Sequence, residues 1–395
     1  VGDTSAEGGA FLASRTTVKI YSMTDTITKT LKVRVRDSTP KPLVARQQRS
    51  TRSGTTSMSS ADDSFVSMAC FYRPDDIQRY TNGSGKMLGL HSQTVQRVSA
   101  EYVTRRKQFR KRRLAWRKTF GARRSLGWVP VNTGAATTWR NGQVHFNGQH
   151  YKVWDSYGLS QYRFKTANFT EDARGWWYFN VAVEVPKAQS AGTGAVGIDL
   201  GCKEAATCSD GETLDGRWYR DQERKLAVAQ RARKKQRTRA IHAKIANRRK
   251  DAMHKFSRDL VNQNAAVFVG NVNARAIART RLGKSSLDAG WGMLKTMLEY
   301  KCEHAGIVFK EVNEAYTTQT CSCCGSISDS SPKGRAGLGI REWACSECGA
   351  SHDRDINAAR NILAAGHSRL AGNRLPNHAQ RDWKARMSTR YQQQK

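Results

Sequence analysis

Acid is scarce beside base in this sequence: 33 Asp and Glu stand against 67 Lys and Arg, a formal net charge of +34 over 395 residues. Self-repulsion on that scale is relieved by a bound polyanion, so nucleic acid is the expected partner. The chain also lacks an apolar run of membrane-spanning length and a basic amphipathic helix ending in a lipid anchor, which sets membrane roles aside. Cys70, Cys202, Cys208, Cys302 and Cys323 are scattered without a disulfide framework, the pattern of a reducing interior, and the expected compartment is the cytoplasm, at the nucleoid of a prokaryote. Residues 1–22 have no basic start, apolar core or small-residue cleavage site of a secretory signal. Met23 reads as a native start, which would make the residues before it upstream or expression-derived and disordered. The length suffices for two or three domains and at least one sizeable core.

What is present is concentrated in a few stretches. Cys321-x2-Cys324-x20-Cys345-x2-Cys348 is a pair of two-sulfur knuckles. Zinc takes four soft ligands at tetrahedral angles, and each such turn presents two sulfurs from one tight loop, so Cys321, Cys324, Cys345 and Cys348 are expected to hold a structural zinc with no coordination position left for water. Cys323 lies between ligands and is read as a bystander.

Two basic stripes are the expected nucleic-acid contacts. In 105–118, Arg105, Arg106, Lys107, Arg110, Lys111, Arg112 and Arg113 lead a run of nine cations with no acid, inside a pattern that turns helical from about 84 to 120. In 217–250, fourteen Lys and Arg face only Asp221 and Glu223 among Ala and Gln helix formers, a long helix or helical pair that includes Arg231, Arg233, Lys234, Lys235, Arg237 and Arg239. Between the stripes the chemistry is that of strands. Ile27–Val35 alternates with period two; Trp128–Val131, Val144–Phe146, Tyr151–Trp154 and Trp176–Val185 are apolar and aromatic, and Asn141-Gly142 and Asn147-Gly148 read as hairpin turns. A small barrel or meander results, which the first strand could join, its large rings mostly core. Residues 48–62, rich in Ser, Thr, Arg and Gly, read as a loop. After a linker at 187–195, the strand Val196-Gly197-Ile198-Asp199-Leu200-Gly201 carries an acid among apolar neighbours, which needs a cation or donors beside it. Val267–Val269, a helix over Leu287–His304 and the strand Ile307–Val312 argue a mostly parallel α/β sheet.

The order of Gly197-Ile198-Asp199-Leu200-Gly201, Lys284-Ser285-Ser286-Leu287-Asp288-Ala289-Gly290-Trp291, Tyr316-Thr317-Thr318-Gln319-Thr320-Cys321 and Asp355-Ile356-Asn357-Ala358-Ala359 resembles TnpB, the RNA-guided nuclease of insertion sequences related to compact type V CRISPR effectors. The likeness is specific over 190–365 and one of layout over 26–186. It implies an α+β multidomain chain: a leader at 1–25, a wedge β-barrel at 26–47 and 121–188, an inserted helical recognition lobe at 48–120, a RuvC-like domain of RNase H fold at 193–316 and 352–366 interrupted by a zinc ribbon at 317–351, and a basic mobile tail at 367–395. It further implies an RNA-guided DNA endonuclease, in which a guide RNA reads a double-stranded DNA target beside a short motif read by the protein. A second copy of the chain is an open case.

In such a family three carboxylates hold two Mg²⁺ ions, and Asp199 and Asp355 match two of them. The third departs: where a Glu is usual after Val267–Val269, Gly270 and Asn271 stand. Glu314, just past the next strand, is expected to reach across the ~4.8 Å between parallel neighbours into the room left at Gly270. The alternative is a surface Glu314 and a nuclease-silent, RNA-guided DNA binder; a guide-free, zinc-ribbon DNA-binding factor is a third reading. Asp355 could also cap its helix, and Asp353 and Asp288 are read as caps or surface charge.

Overall fold

A computed structural model describes residues 26–36, 81–110, 124–132, 137–188, 190–334 and 336–370, with 114, 117, 118, 120 and 121. The leader with Met23, the 48–62 loop, Lys111, Arg112, Arg113 and the tail past 370 lie outside the described residues.

Period-two patterning builds the first unit. In β1 (Thr26–Val35) Leu31, Val33 and Val35 point to one buried face while their neighbours are more exposed. The other strands are β2 (Trp128–Asn132), β3 (Thr137–Arg140), β4 (Gln143–Phe146), β5 (Gln149–Trp154), β6 (Phe164–Glu171) and β7 (Trp177–Pro186). They form one antiparallel sheet in the order β2-β6-β7-β1-β5-β4-β3, with β1 joining as expected between β7 and β5. Both Asn-Gly pairs make two-residue hairpins, Arg140 facing Gln143 and Phe146 facing Gln149. Asn141, Gly142, Asn147 and Gly148 all have φ between 47° and 74°, which is why Asn and Gly stand there. The sheet rolls until Phe146 of β4 meets Phe169 of β6 with ring centroids 5.8 Å apart, although four strand pairings separate them. The result is a nearly closed sheet around Phe146, Phe169, Phe179, Tyr151 and Trp177, and these rings are core.

Two helices, α1 (Ser84–Leu88) and α2 (Ser92–Phe109), precede this sheet in large part, and α2 packs on β2. The helical pattern expected to about 120 stops sooner, with α2 ending at Phe109. Arg110 takes a left-handed conformation (φ 49°) and its N–H closes on the carbonyls of Arg106 and Lys107. A further turn would set Lys and Arg over one another at i and i+4 with no acid between them, so propagation stops.

The second unit holds five strands, β8 (Gly194–Asp199), β9 (Glu204–Cys208), β10 (Thr213–Asp215), β11 (Asn264–Gly270) and β12 (Val308–Val312), in the order β10-β9-β8-β11-β12. The mostly parallel sheet is thereby corrected to a mixed one: β8, β11 and β12 are parallel, while β9 and β10 run antiparallel. The links from β8 to β9 and from β9 to β10 are a few residues long, too short for a crossover, so only hairpins fit. The basic stripe is a helical pair, α3 (Glu223–Arg231) and α4 (Lys235–Gln263). After a single turn, α5 (Ala274–Ile277), the expected helix at 287–304 appears as α6 (Gly283–Ala289) and α7 (Trp291–Ala305), broken at Gly290 with φ 71°. Met253, Leu260, Leu294 and Leu298 of α4 and α7 bury one face of the sheet with Val196, Ile198 and Val269. A short hairpin, β13 (Glu342–Ala344) with β14 (Ser351–Asp353), leads into α8 (Arg354–Leu370), which continues four residues past the expected boundary at 366.

Helix α8 covers the opposite face of β8 and β11 through Ala359, Ile362 and Leu363. It lies so close that a Cβ on Gly197 would run into the Ala359 carbonyl and sit 2.6 Å from the Leu363 nitrogen. Gly197→Ala is therefore expected to lower unfolding free energy by about 2 kcal/mol or more through overpacking against backbone, read as a lower midpoint in urea.

Candidate functional site

Three parallel strands end at one edge, and the acids gather there. Asp199 is the last residue of β8. Ile198 pairs with Val269, so the next step along the register sets Gly270 beside Asp199, and Gly270 pairs in turn with Val312 of β12. Glu314 follows two residues on. Its Oε2 lies 2.5 Å from the point a Cβ on Gly270 would occupy, and its own Cβ 3.4 Å from that point. The Glu314 carboxylate thus fills the space a side chain on β11 would have taken. Crevices beyond the carboxyl ends of parallel strands are the usual ligand-binding places of such sheets.

Electrostatics tie the acids together. Burial, then the charges of Asp355 and Glu314, push the Asp199 carboxyl up to about 7. Half-buried Glu314 is raised by desolvation, which the Lys295 ammonium and the Val272 N–H partly offset. Asp355 lies in the first turn of α8, but the cap is Asp353, whose Oδ1 accepts the N–H groups of Asp355 and Ile356. Freed from capping, the Asp355 carboxylate is paired by Arg341 and, at 3.1 Å, by Arg354. Asp199 feels the charges of Asp355 and Glu314, and among the described residues the three carboxylates are not drawn as tight as the cysteine cluster. The donor set, three carboxylates with a side-chain vacancy at Gly270 that one of them fills, fits a hard divalent cation that takes oxygen ligands.

The four knuckle cysteines converge as expected: one sulfur from each of Cys321, Cys324, Cys345 and Cys348 lies within 4.8 Å of the others, and among the described residues no other His, Cys, Asp or Glu cluster is drawn so tight. Burial opposes ionisation of Cys345, but the N–H groups of Cys348 and Glu347 donate to its sulfur and hold it down at about 6, while burial pushes its cluster partner Cys321 up. Four thiol ligands with backbone N–H donors suit zinc. Cys323 is exposed and outside the cluster. Sequence reasoning missed His352, buried, with Nε2 3.0 Å from the Cys321 sulfur. Its place four residues beyond Cys348 was the only signal for it.

It also missed the clasp between ribbon and acid. Asn357, fully buried in α8, donates from Nδ2 to the Thr320 carbonyl at 2.8 Å and accepts the Ser322 N–H at 2.8 Å. Asn361, one turn on, donates to the carbonyls of Thr317 and Thr320 at 2.8 and 2.7 Å. The i, i+4 spacing of the two asparagines was legible, but only the fold shows that this edge meets the ribbon. Asn357→Ala leaves the Ser322 N–H without its acceptor, while Asn361 still holds the Thr317 and Thr320 carbonyls, and is expected to cost about 2 kcal/mol, seen as a lower melting temperature and faster amide exchange at 317–322.

Among the other expected residues, Arg106 and Lys107 occupy the last turn of α2, and Arg105 just before it pairs with Glu101 at 2.8 Å. Arg231, Arg233, Lys234, Lys235, Arg237 and Arg239 are all exposed around the tight α3–α4 connection, where Arg233 has φ 53°. The first turn of α4 contains no acid, so its cations sit at the positive end of the helix dipole. Asp288, read as a cap or surface charge, is instead buried and accepts the N–H groups of Tyr219 (2.9 Å) and Arg220.

Comparison with known proteins finds relatives of this chain. A family model described as "Probable transposase" (OrfB_IS605) matches residues 178–281, and one described as "Cas12f1-like, TNB domain" matches 291–362. A putative RNA-guided DNA endonuclease of Streptomyces pristinaespiralis is 35% identical over 253 residues, covering 59% of this chain and 61% of that protein. The putative RNA-guided DNA endonuclease InsQ of Escherichia coli (strain K12) is 29% identical over 228 residues, 50% of this chain and 56% of that one. The matched part thus spans less than two thirds of either relative. The CRISPR-associated endodeoxyribonuclease Cas12f1 of Sulfoacidibacillus thermotolerans is 32% identical over 124 residues, 31% of this chain and 28% of that one. In fold, a chain from a cryo-EM structure of a Cas12f1–sgRNA–target DNA complex superposes with a TM-score of 0.54 at 13% identity, covering 86% of this chain and 99% of that one. The resemblance to TnpB and to compact type V effectors read from the sequence is borne out.

Proposed function

We propose that the chain is an RNA-guided DNA endonuclease that hydrolyses phosphodiester bonds at one Mg²⁺-dependent site made by Asp199, Glu314 and Asp355. The observation that carries this reading is the Glu314 carboxylate seated over Gly270 and facing Asp199, an acid supplied by β12 where β11 has none. The mixed sheet β10-β9-β8-β11-β12 with its acids at one edge is read as RNase H-like, the rolled sheet as a wedge, and the four-cysteine unit as a zinc ribbon inserted before α8. Magnesium held there would supply Lewis acidity to the scissile phosphate and ionise a bound water. Asp199 would be a ligand fixed by the strand; Glu314 would be fixed by its neighbours at Gly270, and Asp355 delivered by the first turn of α8. Arg341 and Arg354, now beside Asp355, stand where a phosphate oxygen could share their charge. The exposed cations around the α3–α4 connection would meet the guide–target backbone, whose phosphates also answer the uncompensated dipole of α4. The proposed partners are a guide RNA and a double-stranded DNA target bearing a short protein-read motif. The proposed setting is the prokaryotic cytoplasm, and light scattering of the RNA-bound chain gives its copy number.

One observation favours a second reading, a nuclease-silent guided DNA binder: Asp355 is engaged by two arginines rather than drawn tight against Asp199. The two separate in a plasmid-library assay with chain co-expressed with its flanking RNA in Mg²⁺. Cutting by the wild type that Asp199→Ala abolishes, with RNA binding retained, supports the nuclease; target binding without cutting supports the silent binder. Purification free of any RNA rejects both in favour of a guide-free DNA-binding factor.

A further inference from the structure

A cavity of about 360 Å³ has in its wall Cys202, on the loop that follows Asp199 and three residues beyond it in the chain. Arg217, Arg220, Arg281 and Lys284 line it. Lys284 is paired with Glu223, whereas no described side chain forms an ion pair with the guanidinium groups of Arg217, Arg220 or Arg281. On a chain of net charge +34 exposed cations are common, but here three converge on a concave site that the fold goes to some length to build. Buried Asp288 takes the N–H groups of Tyr219 and Arg220 at 2.9 to 3.4 Å and stands 3.9 Å from Arg249, which locks the turn that carries Arg217 and Arg220. Trp291 Nε1 donates to the Gly201 carbonyl at 2.7 Å and fixes the loop between Asp199 and the cavity wall. A carboxylate that is spent on backbone donors leaves the guanidinium forks free, and such forks match the paired oxygens of a phosphate.

We infer that this cavity binds a backbone phosphodiester of a single nucleic-acid strand and so sets the strand's register beside the acid edge. The inference rests on the nucleic-acid reading above but not on cleavage, and its test leaves cleavage out. Binding of a short fluorescein-labelled DNA strand, and of an RNA strand of the same sequence, is followed by anisotropy against salt without Mg²⁺. The comparison is between the full chain, Arg220→Ala with Arg281→Ala, and Lys310→Ala with Lys333→Ala, which lie off the cavity. The cavity pair is expected to weaken binding roughly tenfold and to flatten the logarithmic salt slope by about 0.7 for each phosphate no longer neutralised, with an unchanged melting temperature. Asp288→Asn, which keeps the size but weakens the lock on the turn, is expected to give a smaller loss in the same direction. A greater loss on DNA identifies the target strand as the source of the phosphate, and a greater loss on RNA the guide. Wild-type affinity and slope in the cavity pair, or a loss no larger than that of Lys310→Ala with Lys333→Ala, overturns the inference. A chain that binds through this cavity yet never cuts would leave the inference standing and sink the nuclease reading alone.

Discussion

Glu314→Ala is expected to reduce DNA cleavage roughly a thousandfold, the several kcal/mol that a lost metal-ligand carboxylate removes from transition-state stabilisation. Guide and target binding should persist, because Glu314 lies on no basic stripe. The decisive arm is the compensating change. In Glu314→Ala with Gly270→Glu, the acid returns to the end of β11, into the volume that the Glu314 carboxylate now fills, and part of the lost rate should come back. Gly270→Glu by itself should be worse than wild type, since its Cβ would meet Glu314 Oε2 at 2.5 Å and two carboxylates would contend for one place. Cleavage rates of the four chains on one plasmid target make the cycle. Full activity in Glu314→Ala, or no gain from the added Gly270→Glu, would remove Glu314 from the site.

Taking zinc away should have an effect of similar size by a different route. The ribbon has a two-stranded sheet, β13 with β14, and a core of little more than Cys321, Trp343 and Cys345, too small to persist on its own. Chelation, or Cys321→Ser with Cys345→Ser, should open 317–353 to limited proteolysis while the rolled sheet at 128–186 stays intact. The loss should then travel into the acid site. The Arg354 N–H donates to the Arg341 carbonyl at 2.7 Å, and Asn357 and Asn361 hold the ribbon to the first turns of α8, so an unfolded ribbon frees the turn that carries Asp355. About one zinc per chain by elemental analysis, and cleavage lost on chelation even with Mg²⁺ in excess, are the expected readings. Unchanged proteolysis after chelation would mean that the ribbon stands without metal.

How much of this was legible beforehand differs from element to element. The Asn-Gly hairpins were plain because a two-residue turn with positive φ at both positions admits few residue types, and β1 because Leu31, Val33 and Val35 alternate with Lys32 and Arg34. The antiparallel β9 and β10 were missed because Glu204–Cys208 and Thr213–Asp215 are short and lack a periodic signal, and the early end of α2 because the repulsion that stops it depends on charges one turn apart. Of the site, the cysteine set was read directly from spacing. Asp199 and Asp355 were named through the TnpB likeness, and Glu314 through the vacancy at Gly270.

By itself the sequence determined the four-cysteine set, the basic surface and the hairpins, because these depend on local spacing and residue chemistry, whereas the three candidate acids came from it only through the family likeness. Only the tertiary structure decided that Glu314 sits over Gly270, that Asp353 rather than Asp355 caps α8, that asparagines join ribbon to acid, and that Asp288 shapes a basic cavity. Each of these depends on where strands and helices far apart in the chain come to rest against one another, and burial and register set that, not neighbours in sequence.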